Sequence, residues 1–397
     1  MRKLALPHDV LMQVEKPARY IGGEYNSYQK NMDETEVNVV FCFPDVYDIG
    51  TANLGMQIIY EQFNRRPDAY CDRVYSPWTD LDKIMRERHI PLFGVESQRP
   101  IRDFSYLMIT LSYEMCYTNV LQVLDLSGIP LLSKDRKDGD PIVIGGGSCA
   151  YNPEPIADFF DAFNIGESEV TLDRIVDVEK AAKAKGLSRR ERLEMIAQIP
   201  GFYVPAFYEP TYHEDGTLAS FEPIDPHAPR KVKRQVAADM NGTLPYPTHP
   251  IVPYSRGMAD RATLEVMRGC IRGCRFCQAG MIYRPTRNRG LEVLKRWAVE
   301  MLENSGYEEL NLSSLATSDY SEFAQFLQFI MPYCEERKIN IGIPSLRIDA
   351  FSLDVMSKIQ DIKKSSLTFA PEAGSQRLRD VINKGLTEET ILKGARE

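Results

Sequence analysis

The sequence contains no run of about 18 apolar residues, so it predicts no transmembrane helix. It also predicts no signal peptide, because Pro7, His8 and Asp9 interrupt the apolar stretch that follows the first basic residues. Basic residues are in the minority, 48 against 56 acidic ones, and the net charge of −8 gives the whole chain no general attraction to nucleic acid or anionic lipid. We therefore expect a cytoplasmic protein without a membrane partner, in which any nucleic-acid contact is local.

Cysteine is scarce as well. Eight cysteines in 397 residues are too few for a disulfide scaffold. Three of them nevertheless fall within eight residues of one another, at Cys270, Cys274 and Cys277. In a chain without a secretion signal, such a cluster indicates metal binding or catalysis.

What is present is the composition of a globular protein, 43% hydrophobic and 26% charged, with a length typical of two or three domains. From Val37, short β-branched apolar runs alternate with helical patterns. This alternation predicts an α/β protein with a doubly wound, Rossmann-like parallel sheet over residues 37–200, after an N-terminal extension over 1–36.

The second half of the chain has a different composition. Residues 201–260 predict a hairpin with an Asp-Gly turn, followed by a proline-rich linker. From residue 261 four further β/α units predict a partial (β/α) barrel over 261–397. The chain stops at Glu397 within a helical pattern, and four units do not close a barrel, so we expect the barrel to be incomplete at its C-terminal end.

The three clustered cysteines follow a predicted strand in the segment RGCIRGCRFCQAG, with the spacing C-x3-C-x2-C. Three thiolates on one tight loop can ligate three irons of a four-iron, four-sulfur cluster and leave the fourth iron open for reaction. The alternative is structural zinc, which needs a fourth protein ligand. No histidine follows His249 and the next cysteine is Cys334, so zinc has no local fourth ligand.

This spacing, with the aromatic Phe276 before the third cysteine, resembles the signature of the radical S-adenosylmethionine (SAM) superfamily over residues 261–397. The resemblance implies a partial (β/α)6 barrel, a [4Fe–4S] cluster bound by the three cysteines, and SAM that chelates the open iron and is cleaved reductively to a 5'-deoxyadenosyl radical. The protein would position and shield that radical.

The resemblance also implies SAM contacts at the ends of the following strands. The second predicted strand lacks the Gly-Gly-Glu turn of many members and carries serines instead, and the fourth resembles the FAPEAGS segment of larger members. The implied SAM-binding residues are Phe276, Ser313, Ser314, Ser345, Arg347, Glu372 and Ser375. For Arg347 and Glu372, an ordinary ion pair at a strand end is the alternative.

Nine cationic residues and only three acidic ones lie between residues 261 and 300. We expect this excess to attract a one-electron reductant such as flavodoxin or ferredoxin, or an anionic substrate. The alternative is a solvated basic face beside an anionic cluster.

In the first predicted domain, the segment PDVYDIGTANLG resembles the D-x-H-x-x-G loop of cobalamin-binding domains, with Tyr47 in place of the histidine that ligates cobalt. A later serine, a run of glycines and the NIGESE turn at 164–169 extend this resemblance. The implied cobalamin-binding residues are Asp45, Tyr47, Gly50, Ser112, Gly145 and Gly146. The alternative is a sheet that has kept this fold without the corrinoid.

Taken with the segment PARYIGGEYNS at 17–27, these motifs identify the chain as similar to radical SAM enzymes fused to a cobalamin-binding domain. The resemblance implies methyl transfer or related radical chemistry on an unknown substrate. One alternative is a cobalamin-free radical SAM enzyme, such as an RNA-modifying methylthiotransferase, whose second cluster would use N-terminal cysteines; we interpret Cys42, Cys71, Cys116 and Cys149 as buried thiols instead. A second alternative is a non-enzymatic iron–sulfur or zinc protein.

Overall fold

The computed structural model describes residues 4–242, 244–255, 260–343 and 369–396. These residues form two compact units. The first comprises the described residues of 1–237 and 251–259, and the second those of 238–250 and 260–397. Residues 344–368 of the predicted barrel, with Ser345 and Arg347 among them, lie outside the described residues.

The first unit is built on a six-stranded sheet with the order β2-β1-β3-β4-β5-β6. Its strands are β1 Val37–Phe43, β2 Ala69–Tyr75, β3 Tyr106–Thr110, β4 Ile142–Gly146, β5 Ala162–Asn164 and β6 Phe202–Tyr203. All neighbours are parallel except β5 and β6, which are antiparallel. The chain winds from β1 to one side and then returns to β3 on the other, so the predicted doubly wound sheet is confirmed, and its winding changes direction between β1 and β3.

The helices of the first unit follow the strands in the expected alternation. They are α1 His8–Leu11, α2 Tyr47–Gly50, α3 Leu54–Arg65, α4 Thr79–Arg88, α5 Tyr117–Leu126, α6 Leu172–Lys185 and α7 Arg189–Ala197. Side-chain caps fix where two of them begin: the Asn53 side chain accepts from the Met56 amide at α3, and Ser188 and Glu191 form a capping box at α7.

The sequence analysis does not identify β2, because charged residues interrupt its apolar pattern. Every residue of β2 is buried, including Asp72 and Arg73. The Arg73 guanidinium lies 3.0 Å from the Glu24 carboxylate and 2.5 Å from that of Glu96, and both carboxylates are buried. Because Glu24 belongs to the N-terminal extension, this buried ion triad fixes the extension to the sheet.

A hairpin completes the first unit, and an irregular segment that belongs to both units follows it. The hairpin consists of β7 Tyr208–Tyr212 and β8 Leu218–Pro223, which pair antiparallel around a turn with Gly216 at a φ of +82°. The described residues of 224–255 contain neither helix nor strand. The predicted domain boundaries at 200 and 260 remain predictions.

The second unit contains a parallel three-stranded sheet with the order β13-β12-β9. The strands of this sheet are β9 Ala262–Glu265, β12 Glu309–Ser313 and β13 Asn340–Gly342, and a separate antiparallel pair consists of β10 Met267–Arg268 and β11 Arg287–Asn288. The helices of this unit are α8 Ala279–Ile282, α9 Leu291–Ser305, α10 Phe323–Arg337, α11 Gln376–Val381 and α12 Glu388–Arg396. Helices α9 and α10 each connect two parallel strands, as β/α units require. Among the described residues, none of the helices combines the length and apolarity that crossing a bilayer needs.

Candidate functional site

The three clustered cysteines lie on a loop at the carboxyl end of β9. Strands β10 and β11 close this loop as a short antiparallel ladder, in which Arg268 is opposite Arg287. Cys270, Cys274 and Cys277 are all partly exposed, whereas the other five cysteines of the chain are buried. The loop therefore presents three thiols near the protein surface, where an inorganic cluster could reach them.

Two glycines allow the loop to bend as it does. Gly269 has a φ of +83°, and a Cβ atom there would lie 2.7 Å from the Tyr283 carbonyl oxygen and 2.9 Å from that of Pro285. Gly273 has a φ of +66°. Both positions are in the left-handed region, which side chains disfavour, and the first has no space for one. Glycine at these two positions of the loop thus has a local steric basis.

Backbone amides organise the loop from inside. The Gly280 amide donates to the Cys277 sulfur at 3.3 Å, and the Cys277 amide donates to the Cys274 carbonyl oxygen at 3.1 Å. Hydrogen bonds to the ligating sulfurs are among the features by which a protein tunes an iron–sulfur cluster. The Cys277 sulfur has such a bond from the backbone.

The chain after α11 holds the loop from outside. The Arg275 amide donates to the Ile382 carbonyl oxygen at 2.9 Å, and the Arg275 guanidinium donates to the Val381 carbonyl oxygen. The Asn383 side-chain amide donates to the Gly273 carbonyl oxygen at 3.0 Å. Sequence analysis did not single out Asn383, and nothing in the segment VINKG distinguishes it from an ordinary turn.

An ion pair links the same loop to the end of β12. The Arg272 Nε atom donates to the Asp319 carboxylate at 2.8 Å, and the Asp319 side chain is almost fully buried. Asp319 belongs to the 3-10 turn Thr317–Asp319 that follows β12. The cysteine loop is therefore attached to the second β/α unit as well as to its own strand.

The base of the loop is fixed by a buried carboxylate. Glu265, the last residue of β9, accepts from Arg268 at 2.8 Å and from Arg289 at 2.5 Å. Burial alone would raise the pKa of the Glu265 carboxyl, but the two guanidinium groups hold it below its usual value. The Arg289 guanidinium also lies over the stacked rings of Tyr246 and Trp297, 4.7 and 4.9 Å from their centroids.

Two of the residues with implied SAM contacts lie close to a shared lysine. The Lys384 ammonium nitrogen lies 5.8 Å from the centre of the Phe276 ring and 3.1 Å from the Glu372 carboxylate. Phe276 is 53% exposed and Glu372 has a φ of +67°. Among the described residues, Glu372 makes an ion pair with Lys384, a residue that the sequence motif did not point to.

The implied serine contacts have structural partners of their own. The Ser313 carbonyl oxygen accepts from the Val266 amide at 3.0 Å. The Ser314 hydroxyl lies 2.8 Å from that of Thr317, and the Ser375 hydroxyl caps α11 by accepting from the Leu378 amide at 3.3 Å. Ser345 and Arg347 are outside the described residues, so five of the seven implied SAM contacts can be placed.

Acidic residues balance much of the cationic excess around the loop. Arg261 is paired with Glu309, and Arg272 with Asp319, at carboxylates outside the 261–300 window. Within the window, Glu265 pairs with two arginines, while Glu292 and Glu300 pair with neighbouring cations. The local field is therefore weaker than the residue count predicts.

In the first unit, the cobalamin-like loop buries Tyr47, Asp48 and Gly50. The Tyr47 ring is buried, its hydroxyl donates to the Glu24 carboxylate at 2.8 Å, and burial raises its pKa. Asp48 accepts from Lys16 at 2.9 Å and from Arg19 at 2.5 Å. Tyr47 is therefore engaged with the N-terminal extension at the position where the related loops carry a cobalt ligand.

Two of the implied glycines are required by the packing of the sheet itself. A Cβ atom at Gly50 would lie 2.5 Å from the Tyr75 ring, and one at Gly145 would lie 2.7 Å from the Phe163 ring. At Gly146 the nearest atom would be 4.0 Å away. Of these three glycines, only Gly146 leaves open space beside the backbone.

Some groups remain accessible at the carboxyl ends of β1, β3 and β4. Ser112 is exposed, and its carbonyl oxygen accepts from the Ser148 hydroxyl at 2.8 Å. Asp45 accepts from the Tyr113 hydroxyl, a bond that together with burial raises the pKa of Tyr113 to about 12. Met115 is 85% exposed. This edge combines polar groups with an exposed apolar side chain at the point where the winding of the sheet changes direction, a location where ligands bind such sheets.

The four cysteines of the first unit differ from those of the loop. They are all buried, and burial raises the pKa of each thiol; they are Cys42, Cys71, Cys116 and Cys149. A buried neutral thiol behaves as a small apolar side chain. Their environment agrees with their interpretation as ordinary core residues.

Two family descriptions match the chain. "Radical SAM proteins, N-terminal" matches residues 55–205, and "Radical SAM superfamily" matches residues 264–397. The second match begins within β9 and includes the cysteine loop.

Two proteins of Methanocaldococcus jannaschii are similar in sequence. The uncharacterized protein MJ0966 is 27% identical over 357 residues, which are 89% of this chain and 64% of that protein. The provisionally named methylthiotransferase MJ0865 is 22% identical over 352 residues, which are 85% of this chain and 68% of that protein. This chain thus spans about two thirds of the length of each.

Two solved structures share the fold at low sequence identity. One is the cobalamin-dependent SAM radical enzyme OxsB with aqua-cobalamin and SAM bound, with a TM-score of 0.54 and 13% identity over 90% of this chain and 47% of that chain. The other is the radical SAM methyltransferase TsrM from Kitasatospora setae with tryptophan and a SAM analogue bound, with a TM-score of 0.55 and 13% identity over 90% of this chain and 65% of that chain.

Proposed function

Because it carries both radical SAM domains, the chain belongs to the radical SAM superfamily, and we propose that Cys270, Cys274 and Cys277 bind a [4Fe–4S] cluster whose open iron takes SAM. The observation that carries this proposal is the contrast in burial among the cysteines: the three on the loop are partly exposed and the other five are buried. The chemistry that cluster and SAM supply together is reductive cleavage of SAM to a 5'-deoxyadenosyl radical.

The residues around the cysteine loop fit a [4Fe–4S] cluster. Gly269 and Gly273 give the loop its curvature, and the Gly280 amide donates to the Cys277 sulfur. The ion pairs of Arg272 and of Glu265 attach the loop to two strands, which fixes the positions of the thiols. Phe276, Glu372 and Lys384 form a partly exposed group beside the loop, and we assign SAM contacts to this side of it.

A reductive cleavage assay tests this part of the proposal. The chain would be reconstituted anaerobically with iron and sulfide, reduced with dithionite in the presence of SAM, and analysed for 5'-deoxyadenosine and methionine. We expect both products in equal amounts. A chain that holds about four irons but releases neither product would contradict the catalytic assignment, and a chain that retains zinc and takes up no iron would contradict the cluster.

We also propose that the carboxyl edge of the six-stranded sheet binds cobalamin, with Ser112, Gly146 and the exposed Met115 closest to it. Cobalamin, when bound, supplies a methyl carrier. The residues fit a corrinoid at this edge but do not fit a cobalt ligand at position 47, since the Tyr47 hydroxyl is buried against Glu24. We therefore assign Tyr47 to the attachment of the N-terminal extension and Asp45 to the rim of the site.

Cobalt binding tests whether the sheet edge holds cobalamin, and spectroscopy tests whether Tyr47 contacts the cobalt. Hydroxocobalamin would be added to the chain, excess removed by desalting, and cobalt measured; about one cobalt per chain is expected. After reduction to cobalt(II), the electron paramagnetic resonance spectrum should lack nitrogen coupling from a protein ligand and should be the same in Tyr47→Phe. No retained cobalt would contradict the site, and a spectrum that changes in Tyr47→Phe would contradict our assignment of Tyr47.

For the complete reaction we propose methyl transfer or related radical chemistry, with an electron supplied by flavodoxin or ferredoxin at the face of the cysteine loop. Similarity to OxsB and TsrM, which are named for cobalamin-dependent radical chemistry and methyl transfer, supports this direction. Exposed Arg275 offers a cation to an acidic reductant. Cluster reduction should slow as salt rises, and a salt-independent rate would contradict electrostatic docking.

A second candidate function is suggested by MJ0865, the provisionally named methylthiotransferase. A methylthiotransferase with a second four-iron cluster would hold about eight irons per chain, against about four for the first candidate. The burial of Cys42, Cys116 and Cys149 argues against a second cluster at these positions. Iron analysis after reconstitution distinguishes the two candidates.

A further inference from the structure

The first unit contains a cavity that belongs to neither candidate cofactor site. Its volume is about 590 Å³. It lies at the amino ends of β4 and β5 and beside the start of α7, so it opens at the opposite edge of the sheet from Ser112 and Gly146. The lining residues are Ser133, Lys134, Arg136, Lys137, Asp138, Phe160, Asp161, Arg189, Arg190, Leu193 and Ala206.

The wall of the cavity contains a buried ion triad with an excess positive charge. One carboxylate oxygen of Asp161 accepts from Arg136 at 2.8 Å, from Arg189 at 2.7 Å and from the Val143 amide at 2.7 Å. The side chains of Arg136, Asp161 and Arg189 are all more than nine-tenths buried. Two guanidinium groups share the Asp161 carboxylate, and the buried Asp140 carboxylate, which pairs with Arg102 at 2.7 Å, is a second negative charge near both of them.

The two arginines differ in how fully they are used. Arg136 donates from Nε to Pro130, from one terminal nitrogen to Asp161, and from the other to Leu131 and Phe159. The Nε atom of Arg189, in contrast, is buried without a hydrogen-bond partner. A buried donor without a partner is uncommon and destabilising. Arg189 is therefore the member of the triad whose guanidinium hydrogen bonds are incomplete.

The remaining lining residues add cations and an apolar surface. Among the described residues, the Lys134 and Lys137 ammonium groups form no ion pair, and Lys137 donates to the Asp140 carboxylate only from its backbone amide. Arg190, in contrast, pairs with both Glu194 and Asp225. Asp138 is used to accept from the Arg189 amide at the start of α7. The apolar part of the lining consists of Phe160, Leu193 and Ala206.

From these observations we propose that the cavity binds a small phosphate monoester. The phosphate group would contact Arg189, Lys134 and Lys137, and the organic part would lie against the apolar residues of the lining. A phosphate dianion offers the charge and the multiple acceptor oxygens that a guanidinium and two ammonium groups recognise. The chain as a whole is acidic, so this cavity is a local exception to the overall charge rather than part of a general basic surface.

Calorimetric titration of the full chain tests the proposal. The probes are inorganic phosphate and adenosine monophosphate, at constant ionic strength maintained with sodium chloride. We expect both to bind, and the nucleotide to bind more tightly because its organic part meets the apolar lining. Absence of binding by either probe at millimolar concentration would overturn the proposal, as would phosphate binding without nucleotide binding.

Variants of the two lysines locate the site. The double variant Lys134→Gln, Lys137→Gln should weaken nucleotide binding at least about tenfold, because it removes two charge-assisted contacts. The matched control is Lys83→Gln, Lys185→Gln, which removes the same charge from residues outside the lining and should leave the affinity unchanged. Equal affinities in the two double variants would overturn the assignment. These lysines are preferred to Arg136 and Arg189, whose removal would disrupt buried ion pairs and threaten folding.

Discussion

The cysteine loop and the carboxyl edge of the six-stranded sheet invite comparison, because each follows a parallel strand and each carries a recognisable motif. In the loop, Cys270, Cys274 and Cys277 are partly exposed, and no described residue bonds their sulfurs except through a backbone amide at Cys277. At the sheet edge, Tyr47 and Asp48 of the motif are buried and engaged by the N-terminal extension. One motif remains open to a ligand, and much of the other is used by the protein itself.

The difference follows from the chemistry of the residues. A cluster of thiols has few purposes inside a protein other than metal binding, disulfide formation or catalysis. Glycine, aspartate and tyrosine have many structural uses, and here Gly50 and Gly145 make room for the aromatic rings of Tyr75 and Phe163. The glycine motif thus carries less functional information than the cysteine motif, although both are equally visible in the sequence.

The strongest test of this contrast replaces single cysteines. Cys274→Ser should reduce 5'-deoxyadenosine formation to below about 1% of the original rate, because the cluster loses one of three protein ligands. Cys334→Ser, in α10, should leave SAM cleavage within about twofold, since burial raises the pKa of the Cys334 thiol to about 12 and it serves as a packed apolar group. Iron content and product formation would be measured for both variants. Equal losses in the two would contradict the distinction between loop and buried cysteines.

A pair of glycine variants sharpens the comparison at the sheet edge. Gly145→Ala should lower the free energy of unfolding by about 1–3 kcal/mol, because its Cβ atom would meet the Phe163 ring. Gly146→Ala should change it by less than about 0.5 kcal/mol, yet weaken cobalamin retention if the corrinoid lies over this position. Urea unfolding and cobalt retention give the two readouts. A large loss of stability in Gly146→Ala would show that neighbouring atoms fill the space beside this glycine too.

Tyr47→Phe tests whether the tyrosine serves structure or cofactor. Removing the hydroxyl leaves the buried Glu24 carboxylate with one partner fewer, so we expect a loss of about 1–2 kcal/mol in the free energy of unfolding. Cobalamin retention should not change. Retained stability combined with lost cobalamin would reverse the assignment.

The smallest expected effect is the pH dependence of the stability that Glu265 contributes at the foot of the cysteine loop. The folded-state pKa of Glu265 lies below its ordinary value of 4.5, so its carboxylate contributes stability that is present above pH 4.5 and lost as the pH falls through the folded pKa. The stability difference between the native chain and Glu265→Gln should therefore shrink on acidification from pH 7 to pH 4 and below. Trp297 fluorescence in a Trp78→Phe background would report on the second unit, since each unit holds one of the two tryptophans. If the stability difference between the native chain and Glu265→Gln grew as the pH fell, the lowered pKa of Glu265 would be contradicted.

Periodicity and motif spacing were enough to predict the α/β class, the parallel sheet and the β/α alternation to which α9 and α10 belong. They were not enough for β2, where the buried charges of Asp72 and Arg73 imitate a surface segment. The Arg73 charge is compensated by Glu24 and Glu96, and the Asp72 carboxylate accepts from the Glu96 and Ser97 amides; all of these residues are far away in sequence. Long-range compensation of this kind leaves no local signal.

The same limit applies to the candidate sites. The thiol ligands could be predicted because they are close in sequence, whereas Lys384, Asn383 and Asp319 reach the cysteine loop from distant segments. The cavity at the amino ends of β4 and β5 combines residues from four separate stretches of chain. Only the fold brings such residues together, and single-residue chemistry does not reveal them.

Metal analysis of the full chain is the most direct test of the central claim, that the cysteine loop is built to hold a cluster and the sheet edge can still accept a corrinoid. After anaerobic reconstitution with iron, sulfide and hydroxocobalamin, followed by desalting, we predict about four irons and one cobalt per chain, with no zinc. Four irons without cobalt would contradict the assignment of the sheet edge while keeping that of the loop. Zinc in place of iron would contradict the assignment of a [4Fe–4S] cluster to the cysteine loop.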